Sequence, residues 1–302
     1  MKALALPEGE TLGHRLLTGN RYALVAAENR HQLPAEIVAL PIAQGVLADS
    51  AELMPVLIET DRLSEGQRVV LMNCMDGARA SGEAPILSAL LASEAPAQRL
   101  VSHIAAAQLR GNDKGETAWL RMHDPRVWLH LPRIVNDSDL RALYGPVTRW
   151  SVCIGGQWVA NEPTEGHQSR SNWSRTNAAQ WAALGRIGPV NRVLAKLRLL
   201  SHEELIEHSQ QIDELVARAE SFYGLTAAAD LVAFATLGMT IHPRFDEFPI
   251  ATHARDEYEK SKHRPDAESD FNVVDAFLAI TPEQWTLGKR ALEIKNKPGA
   301  ST

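Results

Sequence analysis

The sequence predicts an α+β protein: a mixed α/β lobe at residues 1–160, a polar linker at 161–177 and an all-helical lobe at 178–302. Three observations predict this division. Short apolar runs bounded by turn residues fill the first lobe, and the linker, NEPTEGHQSRSNWSRTN, is rich in Ser and Asn. After the linker, apolar residues recur at helical spacing behind capping boxes.

Short apolar runs predict the strands of the first lobe. Residues 21–27 and 54–60 are typical of buried strands. Residues 147–159 surround a Gly-Gly pair, which predicts a strand, a turn and a returning strand. The run at 68–75 fits either a strand or a helix, and the turn signal Asp-Gly follows its last residue.

Helical spacing and end signals predict the helices of the first lobe. Residues 84–93 and 95–110 are both predicted to be helical. Asn136 is suited to cap the start of a short helix, and Gly145, followed by proline, is suited to end it. The GNDKG turn at 111–115 lies within either a β-hairpin or a helix–turn–strand unit.

Capping signals locate the helices of the second lobe. Thr226 is a predicted N-cap, and the polar residues 256–270 are interpreted as a solvated element. Two S/T-x-x-E/Q boxes each mark a helix start: Ser201 with Glu204, and Thr281 with Gln284. The helix behind Ser201 ends at Gly224, and its predicted apolar stripe is Leu205, Ile206, Ile212, Leu215, Val216, Ala219 and Phe222.

Composition restricts the class of protein. Hydrophobic residues make up 45% and charged residues 23%, as in an ordinary globular chain. The net charge of −6 disfavours a broad nucleic-acid-binding surface. Cys74 and Cys153 lie in apolar segments and are interpreted as small buried side chains. The N-terminus lacks the apolar core of a signal peptide and no apolar run has membrane-spanning length, so we expect a cytoplasmic protein.

The sequence lacks the common motifs for metal or cofactor binding. HEELIEH, at 202–208, resembles the zinc motif H-E-x-x-H, but its second His comes six residues after the first and leaves the shared helix face. There is no P-loop, G-x-G-x-x-G or G-x-S-x-G sequence. We therefore expect no metal and no cofactor.

Residues 117–134, TAWLRMHDPRVWLHLPRI, combine aromatic, basic and His residues. If residues 117–123 form a strand, one partly exposed face carries Trp119, Arg121 and His123. The other face carries Leu120 and Met122 and belongs to the core.

The same stretch then predicts a short capped helix. Asp124 takes the N-cap position and Pro125 the first helical position. Trp128 and Leu131 are predicted to pack inward, and Pro132 to end the helix. Every residue therefore has a structural reason to be present, and structure with partner contact is favoured over catalysis.

Ordered motifs resemble those of one bacterial family. RYALVAA, APILSAL, WLRMHDPRVWLHL and LRALYGPVTRWSV follow one another as in the effector-chaperone or adaptor family of type VI secretion, whose domain long carried only an unknown-function label. The resemblance covers residues 20–160. Its R-x-x-D-P-R and G-P-V-x-x-W elements fall here on Arg121, Asp124, Pro125, Arg126, Gly145, Pro146 and Trp150.

This resemblance implies a non-enzymatic protein. Such an adaptor holds a secreted effector in the producing cell and helps to load it onto the spike-tip protein, without catalytic residues. Asp124, Pro125, Gly145, Pro146 and Trp150 are interpreted as structural. The candidate partner-binding residues are Trp119, Arg121, His123, Arg126, Arg149 and Trp173.

Two points about these candidates stay undecided. The first point concerns the three arginines Arg121, Arg126 and Arg149. They either anchor Asp124 or Asp139 or contact an acidic partner. Trp128 and Trp150 are predicted to be core residues, whereas Trp119 fits either the core or the surface, as does Trp173.

Two other functions compete with the adaptor. The first is a hydrolase that uses His123 and Asp124, with Arg126 as an anion clamp. The second is a nucleic-acid-binding or regulatory module, against which the acidic balance of the chain weighs.

Overall fold

The computed structural model describes residues 2–3, 12–81, 85–163, 175–197, 201–261 and 272–295. The chain divides into two compact units: Met1–Gly185 with Leu199–Leu205, and Arg186–Arg198 with Ile206–Thr302. The first unit contains a sheet with helices and the second contains helices, which confirms the predicted fold class. The polar linker at 161–177 stays a prediction, because residues 164–174 lie outside the described part of the chain.

The first unit is built on antiparallel strands. They are β1 Lys2–Ala3, β2 Tyr22–Val25, β3 Ala39–Pro41, β4 Val56–Glu59, β5 Leu87–Ala92, β6 Leu109–Gly111, β7 Thr117–Trp119, β8 Arg149–Ile154 and β9 Gln157–Asn161. Within the described residues, seven strands form one sheet in the order β1-β9-β8-β5-β2-β4-β3, and β6 pairs with β7 as a separate hairpin. The predicted strands at 21–27 and 54–60 and the predicted hairpin at 147–159 are confirmed.

The first unit also contains helices. They are α1 Leu12–Thr18, α2 Glu65–Ser81, α3 Ala97–Ala107, α4 Pro125–Trp128, α5 Leu131–Ile134, α6 Asp137–Tyr144 and α7 Ala178–Leu194, and α7 ends in the second unit. Shorter 3-10 helices cover Ala27–Gln32, Gly45–Leu53 and Thr60–Arg62. The predicted helix at 95–110 is confirmed as α3, although it ends at Ala107 and β6 follows. The predicted helix between Asn136 and Gly145 is confirmed as α6.

The predicted helix at 84–93 is wrong, because this segment contains β5. β5 lies between β2 and β8 near the middle of the sheet, and five of its six residues are buried. A strand that is buried on both faces needs no alternation of polarity, so its pattern does not distinguish it from a buried helix.

The ambiguous run at 68–75 is helical and lies within α2. Leu71 and Met75 are buried one turn apart against a core cluster that also contains Val25, Ile58 and Leu90 from the sheet. The helix continues past the predicted Asp-Gly turn, since tertiary packing outweighs a weak local end signal.

The second unit is a helical assembly with an aromatic core. Its helices are α8 His202–Tyr223, which begins among residues of the first unit, α9 Ala228–Thr240, α10 Pro249–Ser261, α11 Val273–Leu278 and α12 Pro282–Lys295. A 3-10 helix covers Phe245–Glu247. The buried aromatic residues Phe234, Phe245, Phe248, Phe277 and Trp285 contact one another through their rings.

Both predicted capping boxes are confirmed, because backbone and side chain bond reciprocally between Ser201 and Glu204 and between Thr281 and Gln284. Thr226 is not an N-cap, since Ala227 holds that position without a side-chain bond. Ile206 and Phe222 are exposed, so the predicted apolar stripe is too wide. Of the polar segment 256–270, the described residues to 261 belong to α10.

The prediction that both cysteines are buried is wrong for Cys74 and holds only in part for Cys153. Cys74 is exposed on α2, whereas Cys153 on β8 is half-buried. Burial raises the pKa of the Cys153 thiol to about 11. None of the described helices combines the length and apolar character that a membrane crossing needs.

Candidate partner-binding site

The β6–β7 hairpin positions Trp119 at its end. The Asn112 side chain accepts hydrogen bonds from the backbone of Lys114 and Glu116, and Gly115 takes the positive φ of 81° that the turn requires. Because all three residues of β7 are exposed, Trp119 lies at the surface with 37% of its area accessible. This settles the alternative that the sequence left undecided for Trp119.

The predicted strand at 117–123 is too long, and His123 lies after its end. The strand ends at Trp119, and the chain then turns, with the amide of Asp124 donating to the carbonyl of Arg121 at 2.9 Å. Leu120 and Met122 are buried as predicted. His123 is buried as well, and so it does not share the exposed face of Trp119.

The Asp124 cap is confirmed. Its carboxylate accepts from the amide of Arg126 at 3.0 Å, and Pro125 occupies the first turn of α4. The Arg126 guanidinium returns to the same carboxylate through two hydrogen bonds, of 2.9 and 2.8 Å. Burial opposes ionisation of Asp124, but the bonds from Arg126 outweigh it and lower the pKa of this carboxyl.

Beneath this cap lies an aromatic layer. Trp128, Trp150 and Tyr144 are buried, with ring centroids 4.7 Å apart for Trp128 and Trp150 and 5.5 Å apart for Trp128 and Tyr144. The indole of Trp128 donates to the carbonyl of Met122 at 2.6 Å, which fastens the turn before Asp124 to the core. The core positions predicted for Trp128 and Trp150 are confirmed.

The second motif element also has a structural role. Gly145 ends α6 with a positive φ of 53°, and the carbonyl of Pro146 accepts from the Ser93 hydroxyl at 2.7 Å. The prediction for Pro132 is wrong, because α4 already ends at Trp128 and Pro132 lies in the first turn of the next helix, α5. A proline is tolerated there because the first-turn amide of a helix has no intrahelical partner.

We call Trp119, Arg121, Arg126 and Glu28 the Trp119 surface. The Trp119 indole donates to Gln108 Oε1 at 2.9 Å, and Arg121 Cζ lies 5.7 Å from the centre of the Trp119 ring. Arg121 Nη2 lies 3.3 Å from Glu28 Oε1, and Glu28 belongs to the 3-10 helix Ala27–Gln32. The pKa of Arg126 is raised, first by its bond to Asp124 and in smaller part by the Glu28 carboxylate.

His123 is not coupled to Asp124 as an acid–base pair, because the Asp124 carboxylate is bonded by Arg126. The His123 ring lies 5.8 Å from the Trp119 ring, and burial, followed by the charge of Arg121, lowers the pKa of His123 to about 4. This imidazole is therefore neutral near pH 7. Among the described residues, no group of His, Cys, Asp and Glu could hold a metal ion.

Arg149 does not join the Trp119 surface in the described contacts. Arg149, on β8, donates to the Gly19 carbonyl and lies 3.4 Å from Asn20 Oδ1, next to the end of α1. Trp173 lies outside the described residues. Asp139 is bonded by Asn136 and Gln180, so the predicted arginine anchor applies to Asp124 and not to Asp139.

Sequence reasoning missed two features. Glu28 precedes its partner Arg121 by 93 residues, and no local signal links them. A groove of about 490 Å³ between α1 and α2 was also not predicted, and it is lined mainly by His14, Leu17, Leu63, Arg68, Val69 and Met72. Both features depend on tertiary contacts alone.

Comparison with known proteins gives one family. Residues 23–142, less than half of the chain, match a family described as a domain of unknown function, DUF4123. The match runs from β2 into α6 and includes Arg121, Asp124 and Arg126, but it ends before Gly145. No curated protein and no solved structure matches the chain.

Proposed function

We propose that the chain is a non-enzymatic adaptor that binds an effector of type VI secretion in the cytoplasm and helps to load it onto the spike-tip protein. The observation that carries the proposal is the Trp119 surface, which lies within the region that matches DUF4123. The ordered motifs of the sequence resemble the adaptor family of this secretion system over residues 20–160, which include the matched region.

The chemistry of the surface supports recognition of a protein. Trp and Arg contribute more binding energy in protein interfaces than most residues. Here the exposed Trp119 lies against the partly exposed Arg121, with the exposed Arg126 nearby in the chain, and the buried Trp128 holds the backbone that presents them. Little ordering of the backbone is then needed on binding, which favours affinity.

The motif residues support a role without catalysis. Asp124 caps α4 and pairs with Arg126, whose side chain stays exposed, and Gly145 ends α6. His123 is buried and neutral near pH 7, so it is poorly placed to exchange protons with a substrate. These residues stabilise the scaffold under the exposed side chains.

Co-purification tests the proposal. The chain is expressed with the product of the gene adjacent to its own, and the mixture is separated by size exclusion with mass detection. We expect a stoichiometric complex that the double substitution Trp119→Ala with Arg121→Gln abolishes. Arg62→Gln is the matched control, because Arg62 is an exposed arginine that also pairs with a glutamate, at 3.2 Å.

Two results would contradict the proposal. If the chain forms a complex with neither the effector nor the spike-tip protein, the adaptor function is contradicted. A complex that survives the double substitution, in a variant that still unfolds cooperatively, would move the binding site away from the Trp119 surface.

A further inference from the structure

The ion pair on the Trp119 surface is weak and exposed. Glu28 and Arg121 lie 3.3 Å apart, and their side chains are 60% and 38% accessible. An exposed pair of this kind contributes about 0–1 kcal/mol to stability, because water and salt screen it. A carboxylate from another molecule can therefore replace Glu28 at little cost to the fold.

Two donors next to this surface have no acceptor among the described residues. Within the described part of the chain, Gln108 Nε2, Arg121 Nε and His123 Nδ1 are buried without a hydrogen-bond partner. The atoms of Gln108 and Arg121 are donors, and the Oε1 of Gln108 is already bonded to Trp119. Because a buried donor without an acceptor is unfavourable, the side chains of Gln108 and Arg121 gain hydrogen bonds if they turn towards a ligand that brings acceptor atoms.

The charges of the Trp119 surface also favour a ligand that brings acceptor atoms. Arg126 is 66% accessible although its guanidinium is bonded to the nearly buried Asp124. Two guanidinium groups therefore reach the surface, whereas the exposed acid beside them is Glu28 alone among the described contacts. The Trp119 ring adds an apolar area next to these cations.

We infer that the Trp119 surface binds an Asp or Glu side chain in a segment of the protein partner, and that Glu28 is an internal competitor for the same arginine. The inference rests on the proposed function and adds the chemistry of the recognised segment. Glu28 holds Arg121 in the free protein, and the carboxylate of the partner displaces it.

A cross-link first identifies the segment. The photo-reactive residue p-benzoylphenylalanine is placed at Thr117, which is exposed and two residues before Trp119 on the same face of β7. After irradiation of the purified complex, mass spectrometry identifies the linked peptide of the partner. We expect an Asp or Glu close to the linked residue. A complex that gives no linked peptide, or a linked peptide without an acidic residue, overturns the inference.

Affinity then tests the competition. The identified segment is made as a labelled peptide and its Kd for the full chain is measured by fluorescence anisotropy. We expect Glu28→Gln to tighten binding about three-fold and Arg121→Gln to weaken it about five-fold, the scale of exposed ion pairs. Arg121→Lys, which keeps the charge, should retain most of the affinity.

Matched controls separate local from general charge effects. Glu52→Gln removes an exposed acid elsewhere in the first unit, and Arg62→Gln removes an exposed arginine, and both should leave Kd unchanged. Neutralising the acid of the peptide should abolish the effect of Glu28→Gln.

If the complex forms but Glu28→Gln does not tighten binding, the inference fails while the adaptor function stands. If the unmodified chain forms no complex, the proposed function itself fails.

Discussion

The imidazole of His103 lies against Gly145, in the space that a side chain at position 145 would occupy. The His103 Nε2–H donates to the carbonyl of Leu143 at 2.9 Å, which ties the ring to the end of α6. Gly145 also has a positive φ of 53°. The glycine of the second motif element is therefore required for two independent reasons, conformation and space.

Gly145→Ala should destabilise the first unit by about 3 kcal/mol, because left-handed backbone strain and overpacking against His103 add together. Denaturant unfolding of the variant measures this loss. Gly156→Ala is the matched control, since Gly156 has a φ of 74° but open space around it, and it should lose only about 1 kcal/mol. Equal losses in both variants would mean that the contact with His103 costs nothing.

Asp124→Ala should reduce the free energy of unfolding by about 2 kcal/mol, since it removes a helix cap and the partner of Arg126. Asp124→Asn keeps a capping oxygen but loses the ion pair, so it should lose less.

The effect of Asp124 depends on pH. Because the folded protein lowers the pKa of this carboxyl, its contribution to stability is present above the pKa of the unfolded chain. The contribution disappears as the pH falls through the lower folded value. Unfolding curves of the protein and of Asp124→Asn should therefore converge in acid. A constant difference at all pH values would contradict this role of the charge.

His123→Leu should make the protein less sensitive to mild acid. The pKa of His123 is about 4 in the folded protein, whereas an unperturbed His has a pKa of about 6.5. Between these values the unfolded chain binds a proton that the folded chain does not, so stability falls as the pH is lowered from 6.5 to 4. The loss is at most about 3 kcal/mol.

The stability of the protein minus that of His123→Leu, measured at several pH values, isolates this contribution. Arg121, Asp124 and Glu28 are the charged groups that act on His123, so Arg121→Gln should reduce the slope. A pH profile that His123→Leu leaves unchanged would mean that His123 titrates normally.

Gly238→Ala tests the packing of the second unit. A Cβ at this position in α9 would overlap the buried side chain of Leu215 in α8. The substitution should cost about 1 kcal/mol, because overpacking outweighs the better helix propensity of alanine. In a Leu215→Ala background the same substitution should be stabilising. Gly185→Ala in α7, with open space around it, should also stabilise, by up to about 1 kcal/mol.

Local chemistry determined the ends of several elements without help from the fold. The cap of Asp124, the two ends of α6 and the boxes at Ser201 and Thr281 are confirmed as the sequence predicts them. Each depends on atoms within four residues of one another, so the sequence alone contains the required information. The division into an α+β part and a helical part follows from residue patterns in the same way.

The tertiary structure decided the features that local sequence patterns did not determine. The segment of β5 became a strand because β2 and β8 pair with both of its edges. His123 became buried because the strand before it ends at Trp119, which no propensity marks. The candidate site depends in the same way on the contact between Glu28 and Arg121. Contacts across many residues depend on how the whole chain packs, and that is why the sequence predicted the local elements of this protein better than the arrangement of its candidate site.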